Sequence, residues 1–271
     1  MTTKQSLNSP IGVFDSGLGG LTVLKSLENI LPHESFIYFG DTAHVPYGTK
    51  SAKTVTKYSR NILDFFLKHK TKAIVIACNT ASAVAFRHLQ RDYDIPLFDV
   101  VSPSVEYSIN ITNTRKIGVI GTYSTIHSKA YTEMFKKLGG DCKIYEVPCP
   151  LFVPIIEEGW SDSSVAKEVA EIYLQDFINS NIDTLILGCT HYPIMANTIQ
   201  TVLSNNIQLV YSGETVGYKL LEFLKKKNCE NSSDLPPSVK FFVSDFPQKF
   251  DELGSGFLDR KLNNVQHISL L

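Results

Sequence analysis

Two of the five cysteines in this 271-residue chain stand at matching places in a repeated pattern. Cys78 follows the apolar run Ala73 to Ala77, and Cys189 follows the similar run Leu185 to Gly188. Each is followed by polar residues that we interpret as the start of a helix. Free backbone N–H groups and the helix dipole at such a place stabilise an anion and can lower the pKa of a thiol from its usual ~8.5. The pattern therefore predicts a pair of reactive thiols.

A pair of opposed thiols suits one type of reaction. Inverting a stereocentre next to a carboxylate requires a proton to leave one face and another to arrive on the opposite face. Two acid–base groups do this without a cofactor if one begins as a thiolate and the other as a thiol. A single cysteine at a strand end is more often inert packing, so the paired placement carries the prediction. The other cysteines have no such partner and are interpreted as structural: Cys142, Cys149 and Cys229.

The elements that must position these thiols follow an α/β pattern. Short β-branched runs alternate with amphipathic stretches, which predicts parallel sheets covered by helices. Ile117 to Thr122 aligns with Ile11 to Ser16, and the Cys189 segment aligns with the Cys78 segment. We therefore expect two similar parallel-sheet α/β lobes related by a pseudo-twofold axis. Ligands of such sheets gather beyond the carboxyl ends of the strands, which places the active site in the cleft between the lobes.

The two lobes are expected to share the chain unequally. Residues 1–98 together with 212–271 form the first, discontinuous lobe, and residues 99–211 form the second. One crossing is placed near Asp94 to Pro103 and the return near Val210 to Gly213. The polar stretch Lys225 to Pro237 is expected to be a surface loop, followed by a further strand over Lys240 to Asp245.

Composition excludes several classes of protein. The chain has 26 basic and 27 acidic side chains, a net charge of −1 and no basic stripe, which argues against nucleic acid or an anionic membrane as partner. No apolar run approaches the ~20 residues needed to cross a bilayer. The polar start Met1 to Ser6 lacks the apolar stretch of a signal peptide. An odd number of cysteines without an export signal favours reduced thiols in the cytoplasm.

A glycine-rich turn offers an alternative function. Asp15 to Gly20 lies between a strand and a helix, where it could cradle the phosphates of a nucleotide, with Asp41 binding the ribose. The full fingerprint needs a glycine where Thr22 stands, and the Asp15 carboxylate would repel a phosphate. We therefore favour a tight turn that presents Asp15 and Ser16. A metal site is not expected either, because Cys189-Thr190-His191 is too closely spaced for the usual ligand pattern.

Several polar residues near the thiols have two interpretations. His191 is either a hydrogen-bonded wall residue or a partner of the Cys189 thiol, since an imidazolium commonly activates a cysteine. Glu157 is either a solvated loop carboxylate or a functional one, and Glu158 could replace it. Tyr47-Gly48 and Thr122 are equally consistent with simple turn residues.

The motifs together resemble those of the glutamate racemases, within the aspartate/glutamate racemase superfamily. The resemblance runs from about Ile11 to Leu258, and its combination of two ordered cysteine motifs with an aspartate-serine-glycine turn is specific. The segments that carry it are Asp15-Ser16-Gly17-Leu18-Gly19-Gly20, Tyr38-Phe39-Gly40-Asp41, Pro46-Tyr47-Gly48, Ala77-Cys78-Asn79-Thr80-Ala81, Gly188-Cys189-Thr190-His191-Tyr192-Pro193 and Ser244-Asp245.

The resemblance implies a cofactor-independent racemisation of L- and D-glutamate that supplies D-glutamate for bacterial peptidoglycan. It implies that Cys78 acts on the D-enantiomer and Cys189 on the L-enantiomer. Asp15 would assist Cys78, and Glu157 and His191 would assist Cys189. The substrate contacts it implies are Asp15, Ser16, Tyr47, Gly48, Asn79, Thr80, Thr190 and His191, with Thr122 as a further one.

The substrate itself sets requirements on the cleft. Glutamate has two carboxylates and an ammonium, and no arginine falls in the motifs. Hydroxyls, helped by helix N-termini, would have to bind the carboxylates, and Asp15 would bind the ammonium. The hydroxyls are those of Ser16, Thr80, Thr122 and Thr190.

Two further expectations follow from the resemblance, and two alternatives to it stay open. Family members are usually homodimers. The chain begins about ten residues before its first strand, so we do not expect the N-terminal extension linked to activation by a nucleotide-sugar peptide in some members. The alternatives are a racemase of aspartate or hydantoins and a flavodoxin-like nucleotide-binding module.

Overall fold

The structure is a computed structural model that describes residues 7–139, 141–204, 206–233 and 235–270. The prediction that the chain has no signal peptide rests on Met1 to Ser6, which lie outside the described residues. The strands are β1 (Ile11–Asp15), β2 (Phe36–Gly40), β3 (Ala73–Ile76), β4 (Leu97–Asp99), β5 (Lys116–Gly121), β6 (Lys143–Pro148), β7 (Thr184–Gly188), β8 (Gln208–Tyr211), β9 (Val239–Val243) and β10 (Val265–His267).

The strands form two parallel sheets with the same internal order. The first sheet runs β10-β9-β2-β1-β3-β4 and the second runs β6-β5-β7-β8. The order β2-β1-β3-β4 in the first sheet is repeated as β6-β5-β7-β8 in the second, so each strand of the smaller sheet has a counterpart. The predicted pair of similar parallel-sheet lobes is confirmed. We call the first sheet with its helices the first lobe and the second sheet with its helices the second lobe.

Helices connect the strands and cover the sheets. They are α1 (Gly20–Ile30), α2 (Ala52–Lys68), α3 (Asn79–Val84), α4 (Phe86–Asp92), α5 (Val101–Ile111), α6 (Tyr123–His127), α7 (Ala130–Lys137), α8 (Phe152–Glu157), α9 (Ser164–Ile178), α10 (Ala196–Leu203), α11 (Ser212–Lys227) and α12 (Pro247–Leu258). Short 3₁₀ turns lie at Thr42–His44, Tyr47–Thr49 and Tyr192–Met195. No helix in the part of the chain that the structure describes is both long and apolar enough to span a membrane.

The central strands are buried on both faces because helices pack on either side. Every residue of β1 and of β7 is buried. On α1, the side chains of Leu21, Leu24 and Leu27 form a buried apolar face, and the helix packs against α11. Gly12 allows α2 to lie close to β1, since a Cβ there would be 2.9 Å from the Phe66 ring.

The structure corrects two predicted boundaries. The segment Asp94 to Pro103 is not simply a crossing, because Leu97–Asp99 forms strand β4, paired in parallel with β3. The connection to the second lobe is α5. The surface loop predicted from Lys225 begins later, because α11 continues to Lys227 and ends at Asn228 in the left-handed conformation. Lysines in the last turn of a helix interact favourably with its dipole, which explains why they extend α11.

Candidate functional site

The two thiols occupy counterpart positions and line one cavity. Cys78 lies two residues after the end of β3 and Cys189 directly follows β7, and each is 5% exposed. The cavity has a volume of about 370 Å³, within the range typical of small-molecule sites. Cys78 is the N-cap residue of α3, as expected, whereas Cys189 leads into a 3₁₀ turn before α10 begins. The expected helix start is therefore found for only one of the two thiols.

Both lobes contribute walls to this cavity. The structure brings together all the site residues proposed from sequence except Asp15: Ser16, Tyr47, Gly48, Cys78, Asn79, Thr80, Thr122, Glu157, Cys189, Thr190 and His191. Among the described residues that line it there is no lysine or arginine. Hydroxyl and amide groups therefore dominate its polar surface.

Asp15 lies behind the cavity wall rather than on it. Its side chain is fully buried. Its Oδ2 accepts a hydrogen bond from the Gly17 backbone N–H at 2.8 Å, and its Oδ1 accepts one from the Thr190 hydroxyl at 3.3 Å. The carboxylate is thus engaged by its own turn, and the structure does not present it for direct contact with a substrate ammonium. Burial raises the pKa of Asp15, opposed by the charge of His191 and by these hydrogen bonds.

Cys78 lies in an environment that opposes ionisation. Its thiol donates to the Ser16 hydroxyl at 3.7 Å, and its sulfur accepts from the Ala81 N–H at 3.5 Å. Burial and the charge of Asp15 raise the pKa of Cys78 to about 12, opposed by the Ala81 N–H and the Ser16 hydroxyl, which can donate to a thiolate. The expectation that a helix start would lower the pKa of this thiol is therefore wrong for Cys78, because burial outweighs one backbone N–H.

Cys189 has a different neighbour, the imidazole of His191. The Cys189 sulfur lies 3.9 Å from Nδ1 of His191, and Nε2 of His191 lies 3.0 Å from Oε1 of Glu157. Burial alone would lower the pKa of His191, but its hydrogen bonds and its charge interactions with Cys189 and Glu157 raise it to about 10. The raised pKa favours the imidazolium form of His191, which can stabilise negative charge on the Cys189 sulfur.

The choice between two neighbouring carboxylates follows from this contact. Glu157 ends α8, and the hydrogen bond from His191 lowers the pKa of its carboxylate against the effect of burial. Glu158 is exposed and makes no such contact with His191. Of the two residues left open by the sequence, Glu157 is the one beside the imidazole.

Hydroxyls join the two lobes on the Cys78 side. Thr80 of α3 lies 2.9 Å from Thr122 and 3.2 Å from Thr125, measured between Oγ1 atoms. Thr122 caps α6 by accepting from the Thr125 N–H. Thr125 has no role in the sequence prediction, because its contact with Thr80 depends on how the lobes meet.

Asn79 is held by its amide nitrogen. Its Nδ2 donates to the Tyr131 and Ser212 hydroxyls, both at 3.0 Å. Its Oδ1 is buried and has no hydrogen-bond partner among the described residues. Asn79 thus lines the cavity, and its buried Oδ1 is an unsatisfied acceptor beside it.

Asp41 positions a cavity wall, a role that the sequence did not reveal. The Tyr47 hydroxyl donates to its Oδ2 at 2.6 Å and the Ser244 hydroxyl donates to its Oδ1 at 2.8 Å. Nδ1 of His44 lies 2.8 Å from the same Oδ1. Burial and the Asp41 charge raise the pKa of Tyr47, so the phenol stays protonated as a donor. The sequence suggested only a ribose contact for Asp41, and the structure shows an anchor for Tyr47.

The glycine-rich turn packs against the Cys189 segment of the other lobe. A Cβ at Gly19 would lie 2.3 Å from Oγ1 of Thr190 and 2.4 Å from Nδ1 of His191. The Thr22 hydroxyl donates to the Thr190 carbonyl oxygen at 2.7 Å. The turn is therefore filled by protein, which supports the tight-turn interpretation over a phosphate cradle. The sequence analysis did not identify Thr22 as a site residue. The available signal was that Thr22 stands where the nucleotide-binding pattern requires a glycine.

Metal-ligating side chains are not clustered in the described part of the chain. Among residues 7–139, 141–204, 206–233 and 235–270, no group of three His, Cys, Asp or Glu side chains is arranged to hold a metal ion. The five cysteines are all free thiols.

Comparisons with known proteins agree with this geometry. A family model described as Asp/Glu/Hydantoin racemase matches residues 11–216. The glutamate racemase of Syntrophus aciditrophicus is 42% identical over 261 residues, covering 96% of this chain and 97% of that protein. The crystal structure of glutamate racemase from Francisella tularensis in complex with D-glutamate is 40% identical, covers 97% of this chain and 98% of that chain, and superposes with a TM-score of 0.91.

A second solved structure is similar to the same extent. Glutamate racemase from Thermus thermophilus, in complex with beta-chloro-D-alanine, is 39% identical, with 98% of each chain covered and a TM-score of 0.89. The family model spans most of the chain, and the relatives match it nearly end to end. This chain belongs to the Asp/Glu/Hydantoin racemase family.

Proposed function

We propose that this protein is a glutamate racemase that interconverts L- and D-glutamate by proton transfer between two thiols, without a cofactor. The observation that carries the proposal is the placement of Cys78 and Cys189 at counterpart strand ends, on one cavity between two similar lobes. The relatives named glutamate racemase, one of them bound to D-glutamate, support glutamate over aspartate or a hydantoin. A nucleotide-binding function has no comparable support, because the glycine-rich turn is filled by Thr190 and His191.

The reaction begins at the thiol whose neighbour favours the thiolate. With L-glutamate bound, the Cys189 thiolate takes the α-proton, so the C–H bond breaks and an S–H bond forms. The carbanion then takes the proton of the Cys78 thiol on the opposite face, which leaves Cys78 as the thiolate and releases D-glutamate. The reverse reaction uses the same groups in exchanged roles, and exchange of protons with solvent restores the starting state.

The partners of each thiol have different tasks. On the Cys189 side, the His191 imidazolium stabilises the thiolate and Glu157 holds the imidazole charged and oriented. On the Cys78 side, Ser16 accepts from the thiol, and Asp15 fixes the turn that carries Ser16. Asp15 also opposes ionisation of Cys78, which favours the protonated form that must donate to the carbanion.

Neutral groups bind the substrate in this proposal. The hydroxyls on the cavity wall donate to the two carboxylates, and hydrogen bonds to charged groups contribute about 1.5–3 kcal/mol each. The ammonium binds near Asn79, whose Oδ1 is an unsatisfied acceptor, and near the carboxylate of Asp15 behind the wall. The hydroxyls are those of Ser16, Thr80, Thr122 and Thr190, with Tyr47 and Gly48 forming the adjoining wall.

The setting of the enzyme is also part of the proposal. We assign residues 1–98 with 212–271 to the first lobe and 99–211 to the second, a division that the strands of the two sheets support except at Asp99, the last residue of β4 in the first sheet. Two thiols that must stay reduced support a cytoplasmic location, where D-glutamate would serve peptidoglycan synthesis. A homodimer is proposed from the resemblance alone, and sedimentation of the purified protein tests it.

An isotope experiment tests the reaction directly. In D₂O with L-glutamate, the D-glutamate formed early is expected to carry deuterium at the α-carbon, while the remaining L-glutamate keeps protium. This follows because each thiol holds one proton, and the thiol that protonates the product has exchanged with solvent. Mass spectrometry of the separated enantiomers measures the label. Equal early labelling of both pools, or formation of unlabelled D-glutamate, would rule out the two-thiol mechanism, and absence of any D-glutamate would rule out a glutamate racemase.

Glu157 provides a test of the Cys189 side with a neighbour as control. Glu157→Gln is expected to lower kcat/KM about tenfold. The substitution removes the charged partner of His191, and a tenfold loss corresponds to ~1.4 kcal/mol of transition-state stabilisation. Glu158→Gln, which changes an exposed carboxylate one residue away, is expected to stay within about twofold of the unmodified protein. Polarimetry in both directions measures the rates. Equal losses in the two variants would remove Glu157 from the mechanism.

A further inference from the structure

A second cavity adjoins the catalytic one at the junction of the lobes. Its volume is about 560 Å³. One wall comes from the 3₁₀ turn at Tyr47–Thr49 and the start of α2, and the other comes from α6 and Ser128. Gly48, Thr49 and Tyr123 line both cavities. We call this second space the outer cavity.

Tyr123 stands between the two cavities. Its side chain is 57% exposed, and its ring stacks on the His127 ring with centroids 3.7 Å apart. Beside it the lobes touch closely, since a Cβ at Gly48 would lie 2.8 Å from the Thr122 Cβ. A ligand held in the outer cavity is therefore next to the catalytic cavity, with one aromatic side chain at the boundary.

The outer cavity has a lysine ammonium on its wall, whereas no lysine or arginine that the structure describes lines the catalytic cavity. Lys50 and His127 line the outer cavity together with the hydroxyls of Ser51 and Ser124, and no carboxylate appears among its described lining residues. Lys50 forms no ion pair with any carboxylate of the described residues. The catalytic cavity has Glu157 on its wall and Asp15 behind it.

This distribution matters for an anionic substrate. Glutamate carries two carboxylates and one ammonium, so it is a net anion at neutral pH. A free ammonium in a concave surface raises the local concentration of anions and the rate at which they enter. The lysine and the hydroxyls match the carboxylate chemistry of glutamate, and they lie where it would pass.

We propose that the outer cavity is an entry site in which Lys50 captures a carboxylate of the incoming glutamate before the substrate passes Tyr123 into the catalytic cavity. This inference rests on the proposed glutamate racemase function. It assigns to Lys50 a role in substrate capture and none in proton transfer.

A charge reversal with a matched control tests this role. Lys50→Glu is expected to lower kcat/KM about tenfold at low ionic strength, through a higher KM, with kcat within about twofold. Lys53→Glu makes the same charge change on an exposed residue of α2 outside both cavities, and it is expected to change kcat/KM by less than about twofold. The loss in Lys50→Glu is expected to shrink as added salt shortens the Debye length from ~30 Å toward 3 Å.

The outcomes separate this inference from the proposed function. Equal effects of the two charge reversals, a loss that salt does not change, or a loss confined to kcat would each overturn the entry site. If Lys50→Glu does not fold, Lys50→Met replaces it in the experiment. Its expected loss in kcat/KM is smaller, about threefold. Absence of racemisation in the unmodified protein would instead contradict the proposed function itself.

Discussion

Replacement of Cys78 or Cys189 by alanine is expected to lower kcat/KM for racemisation at least about 1,000-fold in both directions, since each removes an acid–base group that touches the reacting carbon. Enantiomers have equal free energy in water, so the equilibrium constant is one and kcat/KM must fall equally for L- and D-glutamate. Serine at either position is expected to be similarly inactive, because a hydroxyl is far less acidic than a thiol. Polarimetry with each enantiomer measures both rates.

The single variants also test which thiol faces which enantiomer. Cys78→Ala retains Cys189 and is expected to exchange the α-proton of L-glutamate in D₂O, over long incubation, without inversion. Cys189→Ala is expected to exchange D-glutamate only. Cys142→Ala, at a half-buried thiol outside the cavity, is the control and is expected to racemise normally. Normal turnover by the protein lacking both Cys78 and Cys189 would refute the mechanism.

Replacement of His191 by glutamine is expected to lower kcat/KM about 100-fold, because the Cys189 thiolate loses its imidazolium neighbour. The same substitution changes how stability depends on pH. The pKa of His191 rises from 6.5 to about 10 in the folded protein, so protonation of His191 favours the folded state. That contribution is fully present below pH 6.5 and is lost as the pH rises to about 10.

Urea denaturation from pH 6 to pH 10 (an approximate window around the shifted pKa of His191) checks this expectation. The difference in unfolding free energy between the unmodified protein and His191→Gln is expected to be largest at the acidic end and to shrink as the pH rises. The raised pKa of Cys78 also makes both proteins lose stability in alkali, so the difference between them isolates His191. A difference that is independent of pH would show that His191 is not held as an imidazolium.

The fold was predictable because its evidence is local and repeated. Buried runs such as Ile11–Asp15 and Thr184–Gly188 have the β-branched composition of central parallel strands, and the match between the halves predicted two similar lobes. Strand β4 was missed because three residues between Pro96 and α5 give too short a pattern to distinguish a strand from a crossing. The pairing of β4 with β3 depends on the tertiary structure and not on the local sequence.

The site was predictable wherever its residues follow a strand, as Ser16, Cys78 and Cys189 do. The contacts of Asp41 with Tyr47 and Ser244, and of Thr22 with Thr190, join segments that are distant in sequence. No spacing rule reveals such contacts. The raised pKa of Cys78 was not predictable either, because it depends on how deeply the thiol is buried and on its neighbour Asp15.

The two sulfurs have chemically different neighbours, although the two lobes that carry them share a strand order. Cys189 has an imidazolium beside it, whereas Cys78 has a buried carboxylate nearby. Electrophiles react with thiolates and hardly at all with thiols. A small alkylating agent that enters the cavity is therefore expected to modify the sulfur beside His191 before that of Cys78.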